Sequence, residues 1–209
     1  MQENYYWSDD YSAEFYVKAA KCGFITTSMK DNDKFVLLPE IQFDYAVLDL
    51  ENIHISSKVK KLLKKDNYIF EISSDINKVS NKIIDYHDNS WVDDDYKKIL
   101  NSVKKNIKLN KKFKLIGVEL YEKSTFELIS GEIGYQIGTT YTSLSGFTNK
   151  DKKYNNWGKL QLVLLNNYLK ENDFKLWNLG HPQLKYKIDL GAKIYNRLDF
   201  LKLWKSNID

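Results

Sequence analysis

Between Phe113 and Thr142 the chain carries three consecutive strand-like runs, and no other stretch restricts its fold as much. Phe113 to Glu122, Thr125 to Glu132 and Tyr135 to Thr142 are rich in aromatic and branched aliphatic residues, which suit a pleated, half-buried surface. Turn-prone Lys123-Ser124 joins the first two and Gly131 to Gly134 the second and third, so neighbouring runs are expected to pair antiparallel. A polar loop, Thr148 to Asn156, then leads to a helix over Lys159 to Lys170, with Leu160, Val163, Leu164 and Tyr168 on its inner face. Phe174 to Leu179 reads as a further strand. Pro182 to Trp204 reads as two short helical pieces around Leu190-Gly191-Ala192.

The first half alternates strand and helix. Ser12 to Cys22 reads as a short amphipathic helix stopped by Gly23. A polar break over Ser28 to Lys34 precedes a strand at Phe35 to Leu38, and Ala46 to Leu48 forms another. Ser56 or Ser57 caps a helix through Val59, Leu62 and Leu63. Tyr68 to Ile72 alternates at period two, and Asp75 starts a helix carrying Ile76, Val79, Ile83 and Ile84. Another helix begins near Asp95. The fold class is therefore α+β, with an N-terminal α/β region over 1–90 and a second domain over 91–209.

Composition removes several function classes. Aromatic residues make up 14% of the 209, too many for a disordered chain. The single cysteine, Cys22, excludes an internal disulfide, suits a reducing compartment and reads as a packed thiol on an apolar helix face. The polar, acidic start from Met1 to Asp10 is unlike a signal peptide, and no apolar run approaches the roughly 20 residues that span a bilayer. A cytoplasmic protein without a membrane partner is expected, with a monomer as the default. His54, His87 and His181 lie far apart, so no metal site is expected. No phosphate-binding or dinucleotide-binding glycine fingerprint occurs, so no cofactor is expected. The net charge is only +4, but Lys58, Lys60, Lys61, Lys64 and Lys65 crowd one helix. Lys104, Lys105, Lys108, Lys111, Lys112 and Lys114 form a second cluster. Such stripes suit a phosphate backbone, or equally a solvated helix face and a charged linker.

The segment Leu128-Ile129-Ser130-Gly131-Glu132-Ile133-Gly134-Tyr135-Gln136-Ile137-Gly138 resembles the strand pair of the leucyl/phenylalanyl-tRNA–protein transferases. It continues without a gap into Ser145-Gly146-Phe147-Thr148, where that family has Glu-Ser-Met-Phe-Ser. Asn156-Trp157-Gly158-Lys159 is similar to the family's Asn-x-x-Lys. Leu190-Gly191-Ala192 and Arg197-Leu198-Asp199-Phe200-Leu201 resemble its C-terminal motifs. Upstream, Ile53-His54-Ile55-Ser56 and Ser90-Trp91-Val92 resemble its His-Ile-Ser and Thr-Trp-Ile segments, all in the same order. The resemblance implies a GNAT-like acyltransferase core, a strand order also read from the second half, with a smaller N-terminal region. It implies transfer of an amino acid from aminoacyl-tRNA to the N-terminal amine of a protein, a mark for degradation. Its partners would be aminoacyl-tRNA and a protein or peptide N-terminus.

This sequence departs from the family at chemically important positions. The family's Glu falls on Leu144, and its Asp-x-Gln pair on Asn178 and Gly180. An amide orients a substrate but accepts no proton at neutral pH. Asn178 is then the candidate for orienting an amine or carbonyl, or else a strand-end Asn closing a turn with Gly180. His181 is the candidate replacement base, or a surface residue before Pro182. Trp91 would stack on the terminal adenosine or cap the core. Tyr141, Ser145, Phe147 and Thr148 would line the aminoacyl pocket, although alternation in a half-buried strand also explains Tyr141 and Phe147. Asn156 and Lys159 would meet a phosphate at a helix start, where an ordinary N-cap is the competing account of Asn156. Two other functions suit the same fold: acyl-CoA-dependent N-acyl transfer, and a non-catalytic binding homologue.

Overall fold

The computed structural model describes residues 5–32, 34–106, 108–109 and 113–208. Lys111 and Lys112 of the second basic cluster, and residues 1–4, lie outside them. The chain order is α1 (Ala13–Lys21), β1 (Ile25–Asp31), β2 (Lys34–Glu40), β3 (Asp44–Leu48), α2 (Ser57–Lys65), β4 (Tyr68–Ser73), α3 (Asn77–Tyr86) and α4 (Asp94–Lys105). There follow β5 (Phe113–Glu122), β6 (Leu128–Ile137), β7 (Thr140–Thr148), α5 (Trp157–Glu171), β8 (Leu176–Asn178), α6 (Lys185–Asp189), β9 (Lys193–Asn196) and α7 (Arg197–Ile208). The fold is α+β, with the GNAT-like order of strands and helices expected from the second half.

Seven strands form one sheet in the order β4-β5-β6-β7-β8-β3-β9, and β1 pairs with β2 in a separate hairpin. Every pair in the large sheet is antiparallel except β7 with β8. Strand β5 is buried almost throughout because helices cover both faces, so its sequence reads as a continuous apolar run rather than an alternation. Phe113 and Leu115 pack in the cluster that contains Val79, Ile83 and Tyr96 from α3 and α4. Ile116, Val118 and Leu120 point the other way, toward Leu160, Val163 and Leu165 of α5. Three helices are set by a local signal. Ser12, Ser56 and Asp93 accept backbone N–H bonds at the starts of α1, α2 and α4, each cap worth about 1 kcal/mol.

Several expectations are corrected. Gly131 to Gly134 is not a turn: β6 runs straight through it, and the reversal occurs at Gly138, whose φ of +55° suits glycine. These glycines serve close approach instead, since a Cβ at Gly134 would sit 2.4 Å from the Tyr141 hydroxyl. The expected polar break at Ser28 is part of β1, paired along its length with β2. Strand β9 occupies a stretch expected to be helical, and α7 is a full 12-residue helix. Cys22 is exposed at the end of α1 rather than packed. Strands β3 and β4 pair antiparallel with β8 and β5 in the large sheet. Among the described residues, no helix is long and apolar enough to cross a membrane.

Candidate active site

The site follows from the one parallel junction in the sheet. Strands β7 and β8 share only three residue pairs, ending at Thr142 and Asn178. Beyond Thr142, β7 continues to Thr148 with no strand on that side among the described residues. The carboxyl ends of parallel strands are where open sheets offer a crevice. Here a cavity of about 550 Å³ lies along the free part of β7, within the roughly 300–1,000 Å³ of small-molecule sites. The end of α3, the first turns of α5, and α6 close it.

A buried carboxylate faces this cavity. Glu132 lies on the α5 side of β6, and its side chain accepts three hydrogen bonds. Tyr141 and Ser143 hydroxyls donate to Oε1, each at 2.8 Å, and Gln161 Nε2 donates to Oε2 at 3.1 Å. Local geometry builds this cluster. The β6–β7 register shifts at Ile133/Gly134, leaving Leu144 as the extra residue of a bulge. The bulge lets Ser143, paired with Gly134, share a face with Glu132. The bare backbone of Gly134 leaves room for the Tyr141 ring to lie across it. Gln161 is oriented in turn by Ser130, whose hydroxyl donates to its Oε1 at 3.3 Å. Trp177 Nε1 donates to Ser143 Oγ at 2.9 Å. Burial pushes the Glu132 carboxyl above the usual carboxylate range, against the three hydrogen bonds and the charge of Lys187.

Lys187 of α6 is buried in the same wall. Its Nζ donates to the carbonyls of Leu179 at 2.5 Å and His181 at 2.6 Å, tying the loop after β8 to α6. Burial lowers its pKa to about 8, opposed by the charges of Glu40 and Glu132.

Of the residues expected from sequence, Trp91, Ser145, Phe147, Thr148 and Lys159 line this cavity together. Trp91 is held by a 2.5 Å bond from Ser28 Oγ to its carbonyl and by edge-to-face packing on Tyr96. Tyr141 does not line the cavity; it is fully buried and acts behind Glu132. Asn178 and His181 do not line it either. Asn178 is buried and its Oδ1 accepts the Gly180 N–H at 2.9 Å, closing the turn. His181 Nδ1 accepts from the Gln183 N–H. Asn156 starts α5 in the left-handed region, at φ 70°, and makes no side-chain cap bond. Sequence reasoning missed Glu132, Ser143, Gln161 and Lys187. The available signal for Glu132 was a lone carboxylate between two glycines in an otherwise apolar strand.

A second cavity of about 330 Å³ shares Lys159 and Tyr186 with the first and is bordered by Ser56 and Val59 of α2. It connects the site to the basic helix. Lys58, Lys60, Lys61, Lys64 and Lys65 are all exposed, and none forms an ion pair among the described residues.

A family model described as leucyl/phenylalanyl-tRNA protein transferase matches residues 47–205. No curated protein sequence matches significantly. Among solved structures, L-PGS from Bacillus licheniformis is similar with a TM-score of 0.50 and 11% identity, covering 79% of this chain and 64% of that one. The C-terminal domain of a putative lysylphosphatidylglycerol synthetase from Agrobacterium fabrum gives 0.51 and 12%, covering 87% and 63%. The chain thus spans less than two thirds of the length of these structures, and the likeness is one of fold.

Proposed function

The chain belongs to the leucyl/phenylalanyl-tRNA protein transferase family, and on that premise we propose that it transfers an amino acid from aminoacyl-tRNA to the N-terminal amine of a protein or peptide. One observation carries this reading: Trp91, Ser145, Phe147, Thr148 and Lys159, from three separate parts of the chain, line one cavity. In this reading Trp91 stacks on the terminal adenosine, an interaction worth about 1–3 kcal/mol per base. Phe147 and Leu144 contact the amino-acid side chain, and the Ser145 hydroxyl bonds its carbonyl. Lys159 and the free N–H groups opening α5 meet a phosphate, with the lysines of α2 along the adjoining duplex. Holding the ester carbonyl against an amine replaces a bimolecular encounter by an oriented one, which can lower the barrier by about 7–11 kcal/mol.

The test is a titration with a CCA-ended minihelix carrying an amide-linked amino acid, with acetyl-CoA as a parallel ligand. Wild type binds the charged minihelix more tightly than an uncharged one. Ser145→Trp, which fills the cavity, weakens that binding at least about tenfold, or roughly 1.4 kcal/mol. Equal affinity of the two proteins, or tight binding of acetyl-CoA alone, contradicts the proposal.

A further inference from the structure

We propose that Glu132 is the proton acceptor for the attacking amine, a role that rests on the aminoacyl-transfer reading above. Among the described residues lining the cavity, Glu132 is the only acidic one. Leu144, on which the family's Glu falls, is the bulged residue of the adjacent strand and lines the same cavity. The carboxylate therefore stands one strand over from the family's position, on β6 instead of β7. Asn178, where the family has Asp, is committed to its own turn.

The hydrogen bonds fix which oxygen is available. Oε1 is saturated by Tyr141 and Ser143, whereas Oε2 accepts only from Gln161 and keeps a lone pair. A carboxylate whose conjugate acid is raised toward neutrality is a stronger base than an exposed one, and burial supplies that shift here. The three donors around it call for an acceptor on both oxygens: a glutamine would set its own Nε2 against that of Gln161.

In the step itself, the amine nitrogen bonds to the ester carbonyl carbon as one of its protons passes to Glu132 Oε2. The tetrahedral intermediate then collapses, the carbon–oxygen bond to the ribose breaks, and the departing oxygen takes that proton back. Peptide amide and free ribose hydroxyl result, and the carboxylate is regenerated. The titratable and charged groups around Glu132 are Tyr141 on β7, Lys159 on α5, Tyr186 and Lys187 on α6, and His87 after α3.

Glu132→Gln tests the assignment in a transfer assay from charged tRNA to peptide, across pH. A drop in kcat of about 10²–10⁴-fold with a small change in KM is expected, the usual contribution of general-base catalysis. The lower ascending limb of the wild-type pH profile should vanish, leaving only the limb of the substrate amine near pH 8. Ser143→Ala guards against a folding artefact. It removes one donor to Oε1 and should move the lower limb to higher pH, and a limb that stays in place contradicts the assignment. A Glu132→Gln protein with wild-type kcat and both limbs overturns the assignment alone. A wild type inactive with every charged tRNA overturns the transfer reading and the assignment with it.

Discussion

Lys187 shows how a single residue can be read by its stability as well as by its place in the site. Its ammonium is buried and its pKa lies near 8, below the usual lysine value, because desolvation penalises the charged form. Below pH 8 both folded and unfolded chains hold the proton, and the burial penalty is fully present. Between pH 8 and the unfolded pKa the unfolded chain binds more protons, so stability rises with pH by up to about 1.4 kcal/mol per unit. Lys187→Met lacks this titration. The stability difference between wild type and the variant, from urea unfolding at pH 7, 8 and 9, should therefore shift in favour of wild type as pH rises. Buried tyrosines such as Tyr16, Tyr96 and Tyr141 titrate alike in both proteins and cancel. A difference independent of pH would contradict the assigned burial.

At the scale of elements, the end of the β7–β8 pairing leaves room for the first cavity, which α5 borders, and α2 borders the second. Helix α2 exposes its lysines beside the mouth. Replacing Lys58, Lys61 and Lys65 with Gln should weaken charged-tRNA binding at low salt. The slope of log affinity against log salt should become shallower by roughly 0.9 for each duplex phosphate that is no longer neutralised. An unchanged slope would place the tRNA elsewhere. Most elements were legible because caps and periodicity agree locally: Ser12, Ser56, the alternation at Tyr68 to Ile72 and the apolar runs of β5 all held. The failures have physical reasons. Strands β1 and β9 lie at a hairpin and a sheet edge, where polar residues are tolerated and no apolar run marks them. Gly131 and Gly134 signal turns in sequence but allow close packing in the sheet.

At the scale of the whole molecule, one sheet unites strands β3 and β4 with those from β5 to β9. The family segments were legible as ordered motifs, and five of the nine expected site residues line one cavity. Glu132 was not, because its meaning depends on Tyr141, Ser143 and Gln161, which only the bulge and the packing of α5 bring to it. Asn178 stands out by its place in a motif and His181 as the imidazole beside it, and the fold uses both in the turn after β8.

The most direct measurement is transfer of radiolabel from a mixed pool of charged tRNAs to peptides with varied N-termini, with labelled acetyl-CoA in parallel. Label on a peptide from the tRNA pool, and none from acetyl-CoA, is the expected result. Label from acetyl-CoA alone, or from neither donor, would contradict aminoacyl transfer by this protein.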